Sequence, residues 1–286
     1  DIFRADDCMN LFEAEKATCV LGATPFVFDI LEELRQHPRD LSSLRFFLCG
    51  GTTIPPKLFE DCRPFGIRLL SIYGSTESSP HSLVRLNDTR EHTEETDGCA
   101  VDGVEIRVVD DARHEVPHGQ EGEEASRGPQ VFVGYWGEPE MTARALDADG
   151  WYYSGDYCRT DSEGRYIRIT GRKKDIIVRG GENISSREVE DIVLEYPGVR
   201  EAAVVAMPDE RLGERSCACV SMRPGAPAMH LTDLVAFFDG RRVAKYKFPE
   251  YLVVLDALPR TSSGKLQKFA LARMVRERVA AGQPSD

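Results

Sequence analysis

The chain has 286 residues, enough for two domains each with a core of its own, and 41% hydrophobic with 29% charged residues is an ordinary globular balance. Its 36 Lys and Arg stand against 48 Asp and Glu, a formal net charge of -12, which speaks against the clustered positive charge that a nucleic-acid binder needs. No apolar run approaches the roughly 18 residues of a membrane span, and the start, Asp1-Ile2-Phe3-Arg4, has neither a signal peptide's basic stretch and apolar core nor an initiator methionine, so an excised piece of a longer cytoplasmic chain is expected.

Taken in order, Thr24 reads as a helix cap with Pro25 at the first helical position, and Ile30, Leu31 and Leu34 recur at helical spacing. Residues 44–48 and 68–72 read as short buried strands that run into Cys49-Gly50-Gly51-Thr52 and Tyr73-Gly74-Ser75-Thr76. Buried strands with turns at their carboxyl ends predict a parallel sheet that gathers ligands at that edge. From Asp97 to Thr170 the texture changes: residues 104–109, 130–133 and 166–169 read as strands between Gly and Asp turns, an antiparallel, barrel-like lobe. Past Gly171, Ser185 and Glu188 make a capping box, and Val189, Ile192, Val193 and Tyr196 fall on one helix face. Strands at 202–207, 216–222 and 250–255, a helix at 231–238 and a closing helix from Lys268 complete a small α+β module. The fold class expected is therefore α/β and α+β. A partial parallel-sheet subdomain covers about 1–96, the barrel-like lobe about 97–171, and a small, mobile C-terminal α+β domain 172–286. The eight cysteines are scattered, and Cys217-Ala218-Cys219 does not have zinc-site spacing, so they read as reduced structural thiols.

The chemistry lies in segments that punctuate these elements. In Tyr73-Gly74-Ser75-Thr76-Glu77, a glycine after a strand lets backbone approach a ligand closely. Thr76 offers a hydroxyl to a phosphate oxygen, Tyr73 a ring to a purine, and Glu77 the hard carboxylate that Mg²⁺ takes when it also holds phosphates. By itself the pentapeptide reads equally as a polar turn. Trp151-Tyr152-Tyr153-Ser154-Gly155-Asp156 puts a carboxylate after a tight turn, able to accept ribose hydroxyls, although a single acidic turn residue is more often merely solvated. Gly171-Arg172-Lys173-Lys174-Asp175, followed by Gly180-Gly181, reads as a hinge, with Arg172 reaching nucleotide and the glycines leaving room for a threaded ligand. In Leu258-Pro259-Arg260-Thr261-Ser262-Ser263-Gly264-Lys265, the proline, serines and glycine make a flexible arm that brings Lys265 to charge developing in a closed site. Losing one such preorganised partner costs about 10²–10³ in rate. Lys268 reads as a helix-surface residue, and His81 equally as surface or pocket.

In this order the motifs resemble the adenylate-forming superfamily of acyl-CoA synthetases, aryl-acid adenylating enzymes, luciferases and peptide-synthetase adenylation domains. The resemblance runs from about Gly22 to the last helix. Ser126-Arg127-Gly128-Pro129 with Gly134-Tyr135-Trp136, and Gly180-Gly181-Glu182-Asn183-Ile184-Ser185, are most similar to bacterial short- to medium-chain and alicyclic acyl-CoA synthetases. The resemblance implies that a small carboxylic acid attacks the α-phosphorus of MgATP to give acyl-AMP, from which coenzyme A then displaces AMP. It implies Gly50, Gly51 and Thr52 at the adenine edge, Tyr73 on the adenine face with Gly74 and Ser75 beside it, Thr76 on the α-phosphate and Glu77 on Mg²⁺. It further implies Asp156 on the ribose with Arg172 beside it, and Lys174 at a hinge. Gly180 and Gly181 line a pantetheine tunnel, and Lys265 serves adenylation.

One element of the superfamily's pattern has no counterpart. A phosphate loop ending in a Pro-Lys-Gly-like turn belongs well upstream of the adenine edge, and Gly50-Gly51-Thr52-Thr53-Ile54-Pro55-Pro56-Lys57 occupies the adenine-edge place instead. The chain is therefore expected to be the second half of a full-length enzyme, inactive alone. It is also expected to associate, with itself or with the absent half, through a severed sheet edge. Two further readings stay open: an adenylating domain that hands its acyl group to a carrier protein, and a catalytically silent remnant.

Overall fold

Helix α1 (Ala5–Ala14) buries Met9 and Phe12, and α2 (Thr24–Gln36) buries Val27, Ile30, Leu31 and Leu34, an apolar stripe at i, i+3, i+4, i+7. The computed structural model describes residues 3–51, 54–261 and 265–280. By internal contacts the chain divides into two units, Asp1–Ile169 and Thr170–Asp286. Thr24 proves to be the first helical residue rather than the cap. Its buried hydroxyl lies 3.4 Å from the Cys49 thiol, and Ala23 takes the cap position.

In the first unit, β1 (Cys19–Ala23), β2 (Phe46–Gly50) and β3 (Leu69–Ser75) pair in parallel, with Val20 opposite Phe47 and Leu48 opposite Leu70. Helix α3 (Pro56–Cys62) precedes β3 and contributes Leu58, Phe59 and Cys62 to the core beneath. The sheet is parallel only that far. Residues 76–78 form a turn that sends β4 (Ser79–Leu83) straight back along β3, and β5 (Cys99–Ala100), after α4 (Arg90–Glu95), continues antiparallel to the order β1-β2-β3-β4-β5. A parallel neighbour needs a crossover of a dozen residues or so, and this turn leaves no room for one.

A second sheet follows in the order β6 (Glu105–Val109), β7 (Gly122–Arg127), β8 (Tyr152–Thr160), β9 (Ile167–Arg172), with α5 (Pro139–Ala145) between β7 and β8. The β6–β7 and β7–β8 pairs are antiparallel. Among the described residues this lobe is an open four-stranded sheet and not a closed barrel. Residues 130–133 are not a strand either. The turn at Gly128-Pro129 ends β7, Val133 is 98% exposed, and the Phe132 N–H donates to the Glu77 carbonyl at 2.7 Å. Buried Asp97 staples the two sheets, accepting from Ser71 Oγ and from the Ile169 N–H, each at 2.9 Å.

The second unit opens with a hairpin, β10 (Ile176–Arg179) and β11 (Glu182–Ser185), followed by α6 (Ser186–Leu194), whose cap Ser185 accepts from the Glu188 N–H. Strands β12 (Val199–Asp209) and β13 (Gly213–Met222) form the long antiparallel ladder. After α7 (Leu231–Gly240), β14 (Tyr251–Val254) adds in parallel to β13, and α8 (Lys268–Ala280) closes the unit. Side chains alternate along the ladder and so fill two cores. Val204, Ala218 and Val220 pack with α6 and α7 through Val189, Val193, Leu234 and Phe238. Ala203, Val205, Cys217 and Cys219 pack with α8 through Leu271 and Val275. Among the described residues no helix is long and apolar enough to cross a membrane.

Candidate active site

The β3–turn–β4 hairpin gathers most of the first unit's candidates. Tyr73, Gly74 and Ser75 are the last residues of β3 rather than a turn beyond it, and Thr76 and Glu77 form the turn. Gly74 is demanded by the close approach of the two strands. A Cβ there would lie 2.6 Å from Pro80 Cα and closer still to the Ser79 carbonyl oxygen. Gly50, at the end of β2, is packed in the same manner, its Cβ position 2.5 Å from the Ile72 carbonyl oxygen, with Gly51 next in the chain. Thr52 lies outside the described residues.

Tyr73 reaches across to β8, where its hydroxyl donates to Asp156 Oδ2 at 3.0 Å with Glu124 Oε2 at 3.4 Å. Burial, then the charges of Glu124 and Asp156, push the phenol far above its ordinary range, so it stays a donor. Behind it lies a polar network that sequence reasoning did not see. His81 and Glu124 are both fully buried, with His81 Nε2 3.1 Å from Glu124 Oε1 and Nδ1 3.0 Å from both Ser78 Oγ and the Ser79 carbonyl. Burial opposes a charge on His81, but the hydrogen bond and charge of Glu124 outweigh it and lift its pKa above the ordinary imidazole value. His81 is thus neither a surface nor a pocket residue.

Glu77 sits in an aromatic corner. Its Oε1 accepts from the Tyr135 hydroxyl at 2.9 Å. The rings of Tyr135 and Phe132 stand edge to face at 4.8 Å, as do those of Phe132 and Tyr152 at 5.7 Å. Ser75 Oγ donates to the Tyr152 hydroxyl at 3.3 Å. Burial would raise the Glu77 pKa, yet its own backbone N–H and the hydroxyls of Tyr135, Ser75 and Tyr152 outweigh that and hold it below the usual carboxylate range. Glu77 is therefore ionised at neutral pH, next to the exposed Thr76. Among the described residues no group of three or more His, Cys, Asp or Glu is placed to cage a metal ion. A single ionised carboxylate fits Mg²⁺, which keeps its waters and takes other ligands from phosphate oxygens. The signal for this corner was in the sequence as aromatic spacing, Phe132, Tyr135 and Tyr152, but the segment was read as a strand.

In the second unit Arg172 ends β9 and is exposed, as is Lys174 in the single helical turn Lys173–Asp175. Gly180 and Gly181, at φ 59° and 92°, are the two-residue turn joining β10 to β11, a conformation that favours glycine at both positions. The Gly180 N–H donates to the Leu212 carbonyl at 2.7 Å, and a Cβ on Gly181 would meet nothing within 4 Å. Lys265 is exposed and stands on a second hairpin. Its carbonyl accepts from the Thr261 N–H at 2.8 Å, its own N–H donates to Thr261 Oγ1 at 3.1 Å, and Arg260 bridges Leu266. The legs of the expected flexible arm are thus tied together, while Ser262, Ser263 and Gly264 lie outside the described residues. Lys268, expected on the surface, is three-quarters buried in a cluster with Glu190, Ser186 and Asp175.

Tyr73, Gly74, Ser75, Thr76 and Glu77 thus follow one another along β3 and its turn in the first unit, with Asp156 bonded to Tyr73, and Arg172, Lys174, Gly180, Gly181 and Lys265 belong to the second. Residues 1–136 match the AMP-binding enzyme family, and residues 188–265 match the AMP-binding enzyme C-terminal domain. A medium-chain fatty-acid–CoA ligase of Escherichia coli is 62% identical over 98% of this chain and 49% of that protein. A mitochondrial medium-chain acyl-CoA ligase of Mus musculus is 34% identical over 97% of this chain and 45% of that one. The crystal structure of ATP-bound MatB from Rhodopseudomonas palustris matches with a TM-score of 0.88 at 30% identity, over 96% of this chain and 54% of that one. The chain belongs to the adenylate-forming superfamily of AMP-binding enzymes. It spans about half the length of the curated relatives it matches.

Proposed function

We propose that this chain supplies the nucleotide grip and the thiol-side domain of an AMP-forming acyl-CoA ligase that acts on short- to medium-chain fatty acids. The observation that carries the reading is the Tyr73–Asp156 hydrogen bond at one end of β3 together with exposed Thr76 and ionised Glu77 in the turn that follows the same strand, a phenol, a hydroxyl and two carboxylates on one hairpin and the strand beside it. In the first half-reaction an oxygen of the fatty acid attacks the α-phosphorus of ATP and pyrophosphate leaves. The Thr76 hydroxyl donates to an α-phosphate oxygen, and Glu77 would hold Mg²⁺, which when bound neutralises charge on the phosphate oxygens. Asp156, steadied by Tyr73, takes the ribose hydroxyls, while the Tyr73 ring, Gly50, Gly51 and Thr52 border the adenine. Arg172 supports the ribose end, and Lys265 stabilises charge as the bond to pyrophosphate breaks. In the second half-reaction the sulfur of coenzyme A attacks the acyl carbon and AMP leaves. Lys174 is the hinge on which the mobile small domain, residues 172–286, exchanges Lys265 for the Gly180-Gly181 turn that borders the pantetheine.

The reading puts the reaction in the cytoplasm, where exposed thiols such as Cys19 stay reduced. The test uses the natural gene product with octanoate, MgATP and coenzyme A. Octanoyl-AMP and then octanoyl-CoA should form, and Lys265→Ala should slow octanoyl-AMP formation by about 10²–10³. A normal rate of adenylate formation by Lys265→Ala would overturn the assignment, and release of adenylate without any coenzyme A thioester would overturn the choice of acceptor.

A further inference from the structure

Resting on the ligase reading, we infer that Lys268 is a positioning residue for Lys265. It pins one leg of the lysine-bearing hairpin to α6 and to the turn that carries the hinge. The hairpin is closed at its base, where the Gln267 N–H donates to the Pro259 carbonyl at 2.8 Å, and along its legs by the Arg260–Leu266 bridge and the Thr261–Lys265 hydrogen bonds. Each leg then ends in an ion pair. On the incoming leg Arg260 pairs with Glu201 on β12, whose other oxygen accepts from Ser221 Oγ at 3.0 Å. On the outgoing leg Lys268, the first residue of α8, donates to Glu190 Oε1 at 2.6 Å and to Ser186 Oγ at 2.8 Å, both on α6. Its ammonium also lies 3.9 Å from Asp175, the neighbour of Lys174 in the turn after β9.

The cluster is partly desolvated, with the Lys268 side chain 24% exposed and that of Glu190 15% exposed. Desolvation offsets much of the attraction in such a place, but moving either partner away leaves the other's charge buried and uncompensated, so the pair holds its geometry. Glu190 is further fixed by the Val204 N–H at 2.7 Å, so the carboxylate that receives Lys268 belongs to the sheet as well as to the helix. The apolar face of α8, Leu271 and Val275, keeps that helix on the sheet whatever Lys268 does. What the ammonium adds is the placement of the helix's first turn. Because the hairpin legs are bonded to each other, a shift at Lys268 passes to Lys265 instead of being absorbed between them. Misplacing a catalytic group by about 1 Å costs on the order of 10² in rate.

The experiment separates the half-reactions in the natural gene product: octanoyl-AMP formation from octanoate and MgATP in a single turnover, and octanoyl-CoA formation from supplied octanoyl-AMP and coenzyme A. Lys268→Met should slow the first by about 10–100-fold and the second by less than about threefold, and Lys268→Arg should recover the first to within about fivefold. Since Lys268→Met leaves Glu190 buried without its cation, the double variant Lys268→Met/Glu190→Gln is measured alongside and should show the same split. Equal loss in both half-reactions, or no loss in either, overturns the inference. If the wild type forms no octanoyl-AMP, or Lys265→Ala forms it normally, the ligase reading falls and takes this inference with it. A normal wild type, an impaired Lys265→Ala and an unaffected Lys268→Met would sink the inference alone.

Discussion

His81 and Glu124 show how much of the first unit rests on buried polar chemistry. The imidazole is paired at 3.1 Å with no solvent access, and its pKa is raised because Glu124 outweighs the penalty of burial. A raised pKa means that the charged pair contributes its full stability below the ordinary imidazole value of about 6.5 and loses it as the pH climbs through the folded-state value. The melting temperature of this chain should therefore fall as the pH rises above about 6.5, and His81→Gln should flatten that part of the curve. Parallel curves for the two proteins would dismiss the pair as a source of the dependence. The residues themselves were legible as types and not as partners. Tyr73, Glu77 and Asp156 stand in recognisable strings, but Glu124 lies 43 residues from His81, and nothing local in Gly122-Glu123-Glu124 marks the second glutamate as the buried one.

At the level of the element, apolar periodicity located α2, the strands β2 and β3, and the α6 face, because those elements bury what they display in sequence. Strand β4 escaped the same reading. It turns Ser82 and His81 inward, and polar side chains that satisfy one another leave no alternation of apolar residues to detect. Residues 130–133 failed in the opposite direction, since an apolar run whose backbone donor goes to the Glu77 turn has no ladder to join. The β3–β4 hairpin also has one position that admits no side chain. Gly74→Ala should destabilise the first unit by at least about 2 kcal/mol in urea unfolding, since the added methyl must displace backbone rather than a flexible side-chain end. An alanine variant as stable as the parent would mean that the strands part there more easily than their separation suggests.

For the molecule as a whole, the strand order of the first sheet leaves β1 as an edge with Leu21 68% exposed, while the chain covers about half the length of its matched relatives. An unpaired, partly apolar edge is a template for another strand. The 286-residue chain should accordingly elute larger than a monomer in sizing chromatography, and Leu21→Lys should shift it toward the monomer. A sharp monomer for the parent chain would refute that. The change of pattern near Gly171 lies beside the division by internal contacts between Ile169 and Thr170. The long-range ion pairs were not legible in the sequence, because Lys268 and Glu190 meet only once α8 has crossed the sheet.

The second unit's sheet carries a core on each face, and both the Gly180-Gly181 turn and the lysine hairpin are built on that one slab. Neither can be re-aimed separately without breaking a ladder or an ion pair. Any swing of the slab must carry glycine turn and ammonium through the same angle, so under the proposed ligase reading a variant that loosened the joint at Lys174 would retime both half-reactions together.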